Sequence, residues 1–455
     1  MMRALYSIRA RQAKPVASPD SPRYEGYMTK STSSGDDPYP IRPVSSEEFD
    51  GIHSVDMHAF HGSPLSEDDR ALVLARLEFD RSLAAFDGTM PVGVTAAYSF
   101  QLSVPGSQTL PAAGVTWVAV LPSHRRQGVL SSMMRRQLAD VRDRGEPLAV
   151  LWASEATIYS RYGYGLAMWH ADLIVQRGEG ALDKDAPTDA SLRLRIVDSA
   201  AALPELAKVY DVVLPSRPGF IARNEAWWRA AVYDPADDRQ GASPLHCVLA
   251  EDDSGPRGYA LYSGLNSWDP ETSLPDGVLN VRELVCADPA ASAALWSDLL
   301  NRDLITEFRL RKRPVDDPLL YQLADPRRAR PRLKDALWVR IIDVPGALAR
   351  RRYSCPVDVV IEVRDDMIPS NSGRWRLTAA GAAADGLQAS CVPADPAASA
   401  DVELDVTELG AVYLGGIRLG ALAGAGLVTE RRPGAVRQLS AALSWDPAPW
   451  CPVNF

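Results

Sequence analysis

Two stretches of the sequence carry the same order of strand-like and helical patterns, and this repetition constrains the fold more than any other feature. In residues 41–175, strand-like runs lead into an amphipathic helix near 129–144 and then into an apolar run at 147–153. Residues 191–330 repeat that order, which indicates a degenerate internal duplication. Because a strand–helix–strand unit of this size requires a right-handed crossover, we expect parallel strands in the sheet.

The periodicity of apolar residues predicts the elements of each part. In the first copy the predicted elements are strands Ser82–Phe86, Pro91–Leu102, Gly114–Leu121 and Pro147–Ala153, and helix Val129–Arg144. In the second copy they are strands Ser191–Ile196, Leu245–Leu249, Gly258–Leu265, Val278–Val285 and Leu304–Leu310, and helices Leu203–Val213 and Ala290–Asn301. An α+β pattern follows, with strands Leu337–Ile342, Val357–Val363, Trp375–Thr378 and Asp401–Leu404, and helices Thr407–Leu414 and Ala435–Leu443.

Composition marks the predicted domain boundaries. A chain of 455 residues is too long for one core, and breaks rich in Gly, Asp and Pro (178–190) or Pro and Arg (325–332) separate the patterned stretches. The early residues carry arginines and lysines among Ser, Pro and Gly without the apolar segment of a secretory signal. The predicted parts are a disordered leader (1–40), two α/β domains (41–178 and 190–328) and a C-terminal domain (333–455).

Charge and cysteine usage exclude several classes of protein. The formal net charge of −9 disfavours nucleic-acid binding, which requires a basic surface. No apolar run approaches the roughly 18 residues of a membrane span. Five scattered cysteines without a CxxC pair predict reduced thiols in a cytoplasmic protein. Three histidines near residue 58 lack the partners of a ligand set, so no metal site is expected.

The turn between the third predicted strand and the helix of the first copy is basic and contains glycine. The first N–H groups of a helix have no intrahelical partner, and the helix dipole favours an anion beside them. Gly128 would let a ligand approach the backbone closely, and Arg125 or Arg126 could add charge-assisted hydrogen bonds to phosphates. The turn is therefore a candidate pyrophosphate cradle, and a solvated basic loop is the alternative interpretation.

Two motifs resemble those of GCN5-related N-acetyltransferases. Arg125-x-x-Gly128-x-Leu130 is similar to the cofactor motif Arg/Gln-x-x-Gly-x-Gly/Ala, with Leu130 in place of the usual small residue. The segment 158–164 looks like the tyrosine-containing "FYxxxGF" signature, in a predicted two-turn helix with Ser154 as N-cap and Gly163 as C′ residue. The resemblance implies that Tyr159 protonates the departing CoA thiolate; the alternative is that Tyr159 only packs beneath the helix.

The likeness extends to the enhanced intracellular survival (Eis) family of actinobacterial acetyltransferases. It is carried by residues 124–130, 153–165, 281–284, 294–296, 337–341, 344–345 and 409–415, and by a chain ending in Phe455. The resemblance implies two tandem acetyltransferase-like domains, each a mixed sheet with flanking helices, followed by a sterol-carrier-like α+β domain. Only the first domain would be active, since the second has Asp288 to Ser292 where the first has its basic cradle. Acetyl-CoA as cosubstrate, small-molecule or peptide amine acceptors (aminoglycosides or lysine side chains) and a homohexamer are also implied.

The same resemblance assigns site residues. Those implied to contact acetyl-CoA are Val118, Ala119, Val120, Arg126, Gln127, Gly128, Val129, Leu130, Ser131, Ser154 and Glu155. Tyr159 would be the general acid and the α-carboxylate of Phe455 the general base. A terminal carboxylate has a pKa of about 3.3–3.7, so the site must bring it close to the amine or raise that value. From the residues alone, the favoured interpretation is that Phe455 is an apolar residue that docks a loose tail, and only the resemblance favours a catalytic role.

The sequence leaves a second class of function open. A sterol-carrier-like domain could belong to a lipid-binding protein, or the chain could bind CoA as a regulator with a non-catalytic acetyltransferase fold. The resemblance implies acidic residues around the acceptor pocket of members that acetylate aminoglycosides. Asn454 and a loop at 60–64 without a carboxylate therefore disfavour strong binding of polycationic antibiotics, while amine acetylation stays expected. The nearest cysteine is Cys247, in the second copy, so we expect direct sequential transfer without an acyl-enzyme.

Overall fold

The computed structural model describes residues 38–381 and 386–455. All but the last three residues of the predicted leader (1–40) lie outside these ranges. The chain divides into two compact units. Of the described residues, one unit comprises 38–70, Leu77–Ala96 and Trp117–Gln137, and the other comprises Ala71–Arg76, Ala97–Thr116, 138–381 and 386–455.

The elements follow the order expected from the sequence. Up to the first boundary they are β1 (Ile41–Pro43), α1 (Phe49–Phe60), α2 (Glu67–Leu74), β2 (Ser82–Asp87), β3 (Met90–Val104), β4 (Gln108–Val120), α3 (Val129–Asp143), β5 (Leu148–Trp152), α4 (Ala156–Tyr159), β6 (Gly165–Leu166) and β7 (Trp169–Gln176). The repeat contains β8 (Arg193–Asp198), α5 (Leu203–Val213), α6 (Glu225–Val232), β9 (His246–Asp252), β10 (Gly255–Leu265), β11 (Gly277–Cys286), α7 (Pro289–Leu300), β12 (Ile305–Pro314) and α8 (Leu319–Gln322). The C-terminal elements are β13 (Arg332–Asp335), β14 (Leu337–Ile341), α9 (Val344–Arg350), β15 (Val357–Arg364), β16 (Gly373–Ala379), β17 (Ala389–Pro393), β18 (Val402–Asp405), α10 (Val406–Val412), α11 (Leu419–Gly424), β19 (Val428–Glu430) and α12 (Ala435–Leu443).

In the first unit, β1, β2 and the first half of β3 form antiparallel pairs. The start of α3 packs on these strands, with Val129 and Met133 against Ala85 and Val92. A Cβ at Gly93 would come within 2.9 Å of both helix side chains, so glycine permits the close approach of helix and strand. The N-terminal half of α3, which carries the candidate cradle, is therefore fixed by its own apolar face.

The first helix of the first unit has a capped start. Ser45 and Glu48 form a capping box, in which the Glu48 carboxylate accepts the Ser45 backbone N–H at 3.1 Å. The turn they cap continues into α1, which buries Phe49, Ile52 and Val55. This spacing of about three residues puts the three side chains on one helix face.

In the second unit, Ala112–Gly114 of β4 pair in parallel with Leu148–Val150 of β5. The parallel pairing expected for this strand–helix–strand unit is confirmed. Strand β14 extends the arrangement, because it pairs antiparallel with both β5 and β6. A strand from far along the chain thus borders the segment that leads to Tyr159, and sequence patterns gave no sign of this pairing.

A second sheet in the same unit has the strand order β13-β7-β12-β11-β10-β9-β8. Strands β11 and β12 are parallel and flank α7 in the chain, so the topology of the repeat confirms the predicted duplication. Strand β7, which lies within the predicted range of the first domain, pairs with β12 in this sheet. In each copy, one strand therefore pairs with a strand from outside that copy: β5 of the first copy pairs with β14, and β12 of the second copy pairs with β7.

The C-terminal sheet has the order β17-β16-β15-β18-β19, with β15 and β18 parallel and the other pairs antiparallel. Helices α10 and α12 bury apolar faces in a core that also contains Phe100 of β3 and Val150 of β5. Because this core is continuous, the C-terminal part is packed against strands of the first copy within the second unit.

Candidate active site

The candidate cradle lies in the first unit, between the end of β4 and the start of α3. Ala119 is buried, and Val118 and Val120 are half-buried, as alternation along a strand requires. Arg126, Gln127 and Gly128 are exposed. Their exposure leaves the turn accessible to a ligand.

Backbone conformation explains the residues of the turn. Gly128 has φ +84° and open space around the position of a Cβ, so its conformation, rather than crowding, requires glycine. Arg126 also has a positive φ, of 63°, which is uncommon for a residue with a side chain. Two such residues within three positions bend the chain sharply into α3.

The start of α3 has the properties expected of an anion site. Its backbone ladder begins with Ser132 N–H donating to Gly128 O at 3.0 Å, so the earlier amide groups have no intrahelical acceptor. Neither Arg125 nor Arg126 forms an ion pair with any other described residue. Two free guanidinium groups beside the positive end of a helix dipole favour a phosphate group.

The side chain of Gln127 is hydrogen-bonded within the first unit. Its Nε2 donates to Ser123 O at 3.1 Å, and its Oε1 accepts the hydroxyl of Tyr39. His124, in the same turn, lies 3.4 Å from Asp87 through Nε2. These bonds brace the turn internally, which leaves the backbone of Gln127, rather than its side chain, for a ligand.

Trp117 is a residue that the sequence analysis missed. It has φ +55° near the end of β4, immediately before Val118, and is 5% exposed. Its ring packs edge-on against Phe49 and His53 of α1, at centroid distances of 5.9 and 6.0 Å. A positive φ in an aromatic residue breaks the regular strand geometry, as bulges next to active sites do.

The segment that carries Tyr159 lies in the second unit. Helix α4 has only one turn and continues into a 3₁₀ turn, Ser160–Tyr162. Gly163 ends it with φ +79°, as predicted. The prediction that Ser154 is the N-cap is wrong: the extended residue before the helix is Glu155, and its side chain makes no capping bond.

Ser154 is instead hydrogen-bonded to the hydroxyl of Tyr159. Tyr159 is 5% exposed, and burial raises the pKa of its phenol to about 12, while the bond with Ser154 acts in the opposite direction. The ring of Tyr164 packs against it edge-on at 6.1 Å. The phenol is therefore protonated at neutral pH and can donate, but not accept, a proton.

The strand that follows the Tyr159 segment, β6, is in close backbone contact with helix α10. A Cβ at Gly165 would lie 1.9 Å from Thr407 O, and one at Gly410 would lie 2.3 Å from Val339 O. Helix α10 therefore lies directly on β6 and β14, at a distance that only glycine allows. The C-terminal part of the chain thus fixes the position of the Tyr159 segment.

The C-terminus lies on strands of the first copy, within the second unit. The ring of Phe455 packs edge-on against Phe100 of β3 at 4.8 Å. Trp152, at the end of β5, donates its indole N–H to Val453 O at 3.1 Å. Phe455 therefore does dock as an apolar residue, on the copy that carries Tyr159.

The implied site residues thus fall into two groups. Val118, Ala119, Val120, Arg126, Gln127, Gly128, Val129, Leu130 and Ser131 belong to the first unit, and Ser154, Glu155, Tyr159 and Phe455 belong to the second. Within the described ranges, no group of three or more His, Cys, Asp or Glu residues is arranged to hold a metal ion. None of the helices described here is both long and apolar enough to cross a membrane.

Family models match three consecutive parts of the chain. Acetyltransferase (GNAT) domain models match residues 40–167 and 219–341, and a sterol carrier protein domain model matches residues 344–452. The predicted architecture of two acetyltransferase domains and a sterol-carrier-like domain is confirmed.

Individual proteins give the same result. An uncharacterized N-acetyltransferase of Streptomyces avermitilis is 43% identical over 91% of this chain and 99% of its own length. The N-acetyltransferase Eis of Mycobacterium tuberculosis is 33% identical over 81% of this chain and 87% of its own. The crystal structure of Eis1 from Mycobacterium abscessus has a TM-score of 0.77 at 34% identity, covering 91% of this chain and all of that one. The chain is an N-acetyltransferase that belongs to the Eis-like family of GCN5-related N-acetyltransferases.

Proposed function

We propose that the protein transfers the acetyl group of acetyl-CoA directly to a primary amine, with Tyr159 as general acid and the terminal carboxylate of Phe455 as general base. The observation that carries this proposal is the position of the C-terminus. Phe455 packs on Phe100 of β3, and Val453 is bonded to Trp152 of β5, four residues before the helix that carries Tyr159. One unit thus holds both Tyr159 and the docked Phe455 on the same copy of the fold.

The turn before α3 supports binding of acetyl-CoA. The positive φ of Gly128, the N-terminus of α3 and two guanidinium groups without an ion-pair partner among residues 38–381 and 386–455 suit the pyrophosphate of CoA. Acetyl-CoA supplies a thioester, which is an activated acyl group. In the proposal, Arg125 and Arg126 bind the phosphates, and the backbone of Val118 and Val120 binds the pantetheine amides.

The reaction is balanced by two proton transfers. A C–N bond forms between the acetyl carbon and the amine, and the C–S bond breaks. The Phe455 carboxylate accepts the proton that the amine loses, and the Tyr159 phenol donates a proton to the departing sulfur. Because Tyr159 is buried with a raised pKa, it holds its proton until the thiolate forms beside it.

The acceptors we propose are amines of aminoglycoside-like compounds or lysine side chains. The net charge of −9 raises the local concentration of cationic compounds.

The proposal also places the protein in the cytoplasm as a homohexamer. Light scattering of the purified chain tests the assembly.

The testing experiment measures CoA thiol release with acetyl-CoA and a panel of amines. In the decisive variant, one glycine is added after Phe455, which keeps the ring contact with Phe100 but moves the carboxylate by one residue. We expect kcat to fall at least tenfold with acetyl-CoA affinity unchanged, because only the base is displaced. A glycine inserted after Gly426, in an exposed turn, is the control. Equal kcat in the extended and unextended proteins would rule out the carboxylate as the base.

The lipid-binding alternative has a candidate site in the C-terminal domain. A groove of about 660 Å³ lies between α11 and α12. Its lining includes Arg418, Glu430 and Arg437 beside Ala423 and Val428, so it is open and partly charged rather than an enclosed apolar cavity. This lining does not suit the burial of a lipid tail in this groove.

A further inference from the structure

The second copy has a place that corresponds to the cofactor cleft of an acetyltransferase fold. Strands β11 and β12 pair in parallel from Gly277 opposite Ile305 to Val281 opposite Leu310, and the pairing then stops although β11 continues to Cys286. Strand β12 has a register shift there, and Lys312 has φ +54°. The two strands therefore diverge, as parallel strands do around a ligand.

Side chains of the protein fill this divergence. Arg313, whose side chain is 4% exposed, donates to Leu284 O at 2.9 Å and to the fully buried Asp317 carboxylate at 2.6 Å. Its guanidinium lies 4.9 Å from the ring of Trp450 and 5.5 Å from that of Trp296. The backbone carbonyl that a ligand amide could use is thus already bonded, and the space is closed by an aromatic residue of the C-terminal segment.

Both N–H groups of Trp450 are hydrogen-bonded to the second copy. Its indole N–H donates to Lys312 O at 2.7 Å, and its backbone N–H donates to Pro218 O at 2.8 Å. The ring packs edge-on against Phe220 at 5.3 Å and is 6% exposed. A Cβ at Gly219 would lie 2.9 Å from Trp450 O, so the second copy has a glycine where the tail passes.

The contacts continue along the tail in both directions. Ala448 N–H donates to the Asp316 carboxylate at 2.9 Å, and Asp316 is paired with Arg217. Beyond Trp450, the Val453 carbonyl is bonded to Trp152, and the chain ends at Phe455. The second copy therefore holds the tail on one side and the first copy receives its end on the other.

We infer that the second acetyltransferase-like domain is a binding site for the chain's own C-terminal segment, with Trp450 bound where β11 and β12 diverge. The occupant replaces a cofactor, and its role is to position the terminal carboxylate. Trp450, Arg313 and Gly219 are positioning residues in this inference. The docking is inferred from the contacts of Trp450, Ala448 and Val453. The role of the docked tail in catalysis rests on the function proposed for Phe455.

Carboxypeptidase A, which releases a C-terminal phenylalanine, tests the docking in the full-length protein. Release of Phe455 requires the tail to open, so its rate follows the population of the opened form when opening is fast. We expect Trp450→Phe, which removes one indole hydrogen bond, to speed release about two- to tenfold. Trp375→Phe is the matched control, because Trp375 also donates its indole N–H to a backbone carbonyl (Asn371 O, 2.9 Å) but lies on β16.

Gly219→Ala tests the same docking from the other side of the contact and is expected to speed release as well. If the wild type loses Phe455 as fast as a synthetic peptide of residues 447–455, or if neither variant differs from Trp375→Phe, the docking inference is wrong. Kinetics with amines separate this from the proposed function. If release of Phe455 is slow and depends on Trp450 but no amine is acetylated, the docking inference is kept and the catalytic role of Phe455 is overturned.

Discussion

Trp152 and Lys312 occupy equivalent positions in the two copies, and the Lys312 ammonium lies 5.3 Å from the centroid of the Trp152 ring. Each residue stands two positions after the last residue of its strand that pairs in parallel within its copy: Val150 of β5, which pairs with β4, and Leu310 of β12, which pairs with β11. Both are also in contact with the tail: Trp152 through its indole N–H and Lys312 through its backbone carbonyl. In each copy the residue at this position therefore binds the C-terminal segment: Lys312 binds Trp450, and Trp152 binds Val453.

Replacing Tyr159 with phenylalanine removes the proposed proton donor and little of the packing. We expect kcat to fall about 100-fold or more, the usual contribution of a positioned acid, with acetyl-CoA affinity unchanged. Tyr162→Phe is the control, since Tyr162 is equally buried in the same segment. A Tyr159→Phe enzyme with the kcat of the control would exclude the phenol as the acid.

The pH dependence of kcat provides a separate test of Tyr159. Its pKa is raised to about 12 by burial, so the phenol stays protonated well above the ordinary tyrosine value of about 10. Loss of the acid should therefore not reduce kcat until the pH exceeds about 11. A decline in kcat centred near pH 10 that disappears in Tyr159→Phe would contradict the burial argument.

Gly128→Ala should weaken acetyl-CoA binding. An L-residue at φ +84° costs roughly 1–2 kcal/mol, and the turn would relax away from its binding conformation, which corresponds to a Kd about five- to thirtyfold higher. Gly424→Ala is the control, because Gly424 lies in α11 with open space around it. Isothermal titration with acetyl-CoA measures both, and equal affinities would argue against the cradle.

Gly165→Ala should destabilise the fold through the contact of β6 with α10. A methyl group there would lie 1.9 Å from Thr407 O and 2.5 Å from Ala411 N, so the backbones must separate. We expect a loss of about 3 kcal/mol in the free energy of unfolding, the upper range for overpacking. Denaturant titration measures the change, and an unchanged midpoint would show that the contact is looser than described.

His170 should make stability depend on pH. Burial lowers the pKa of its imidazole from 6.5 to about 4; Lys312 and Lys334 act in the same direction and Asp172 acts against them. The unfolded chain therefore binds a proton at higher pH than the folded one, and stability falls as the pH drops from about 6.5 to about 4, by roughly 3 kcal/mol. Thermal melts should show this loss in the wild type and less of it in His170→Phe, and equal slopes would exclude His170 as the source.

Much of the fold was predictable from the sequence because the information is local. Helices Leu203–Val213 and Ala435–Leu443 have the predicted bounds, since the spacing of their apolar residues reports one buried face. The turn at Gly128 was predictable for the same reason: a glycine and arginines before an amphipathic helix indicate an anion site within a few residues. The order of elements in both copies also followed from these short-range patterns.

Other features depend on residues far apart in the chain. Trp117 has a positive φ although no glycine or turn residue at this position predicts one. Its ring packs against Phe49 and His53, which are far from it in the sequence. Ser154 has the chemistry of an N-cap, yet its hydroxyl meets Tyr159 while Glu155 precedes the helix. In both cases tertiary packing prevails over a local preference of modest energy.

The sequence by itself determined the duplicated α/β order, the basic glycine turn and the tyrosine segment, because each is encoded by neighbouring residues. Only the tertiary structure decided that β7 and β14 pair across the repeats and that the tail lies on both copies. The bond between Trp152 and Val453 joins residues 301 positions apart. Such a contact leaves no local pattern, since its stability comes from the apolar surface and hydrogen bonds that the whole fold brings together.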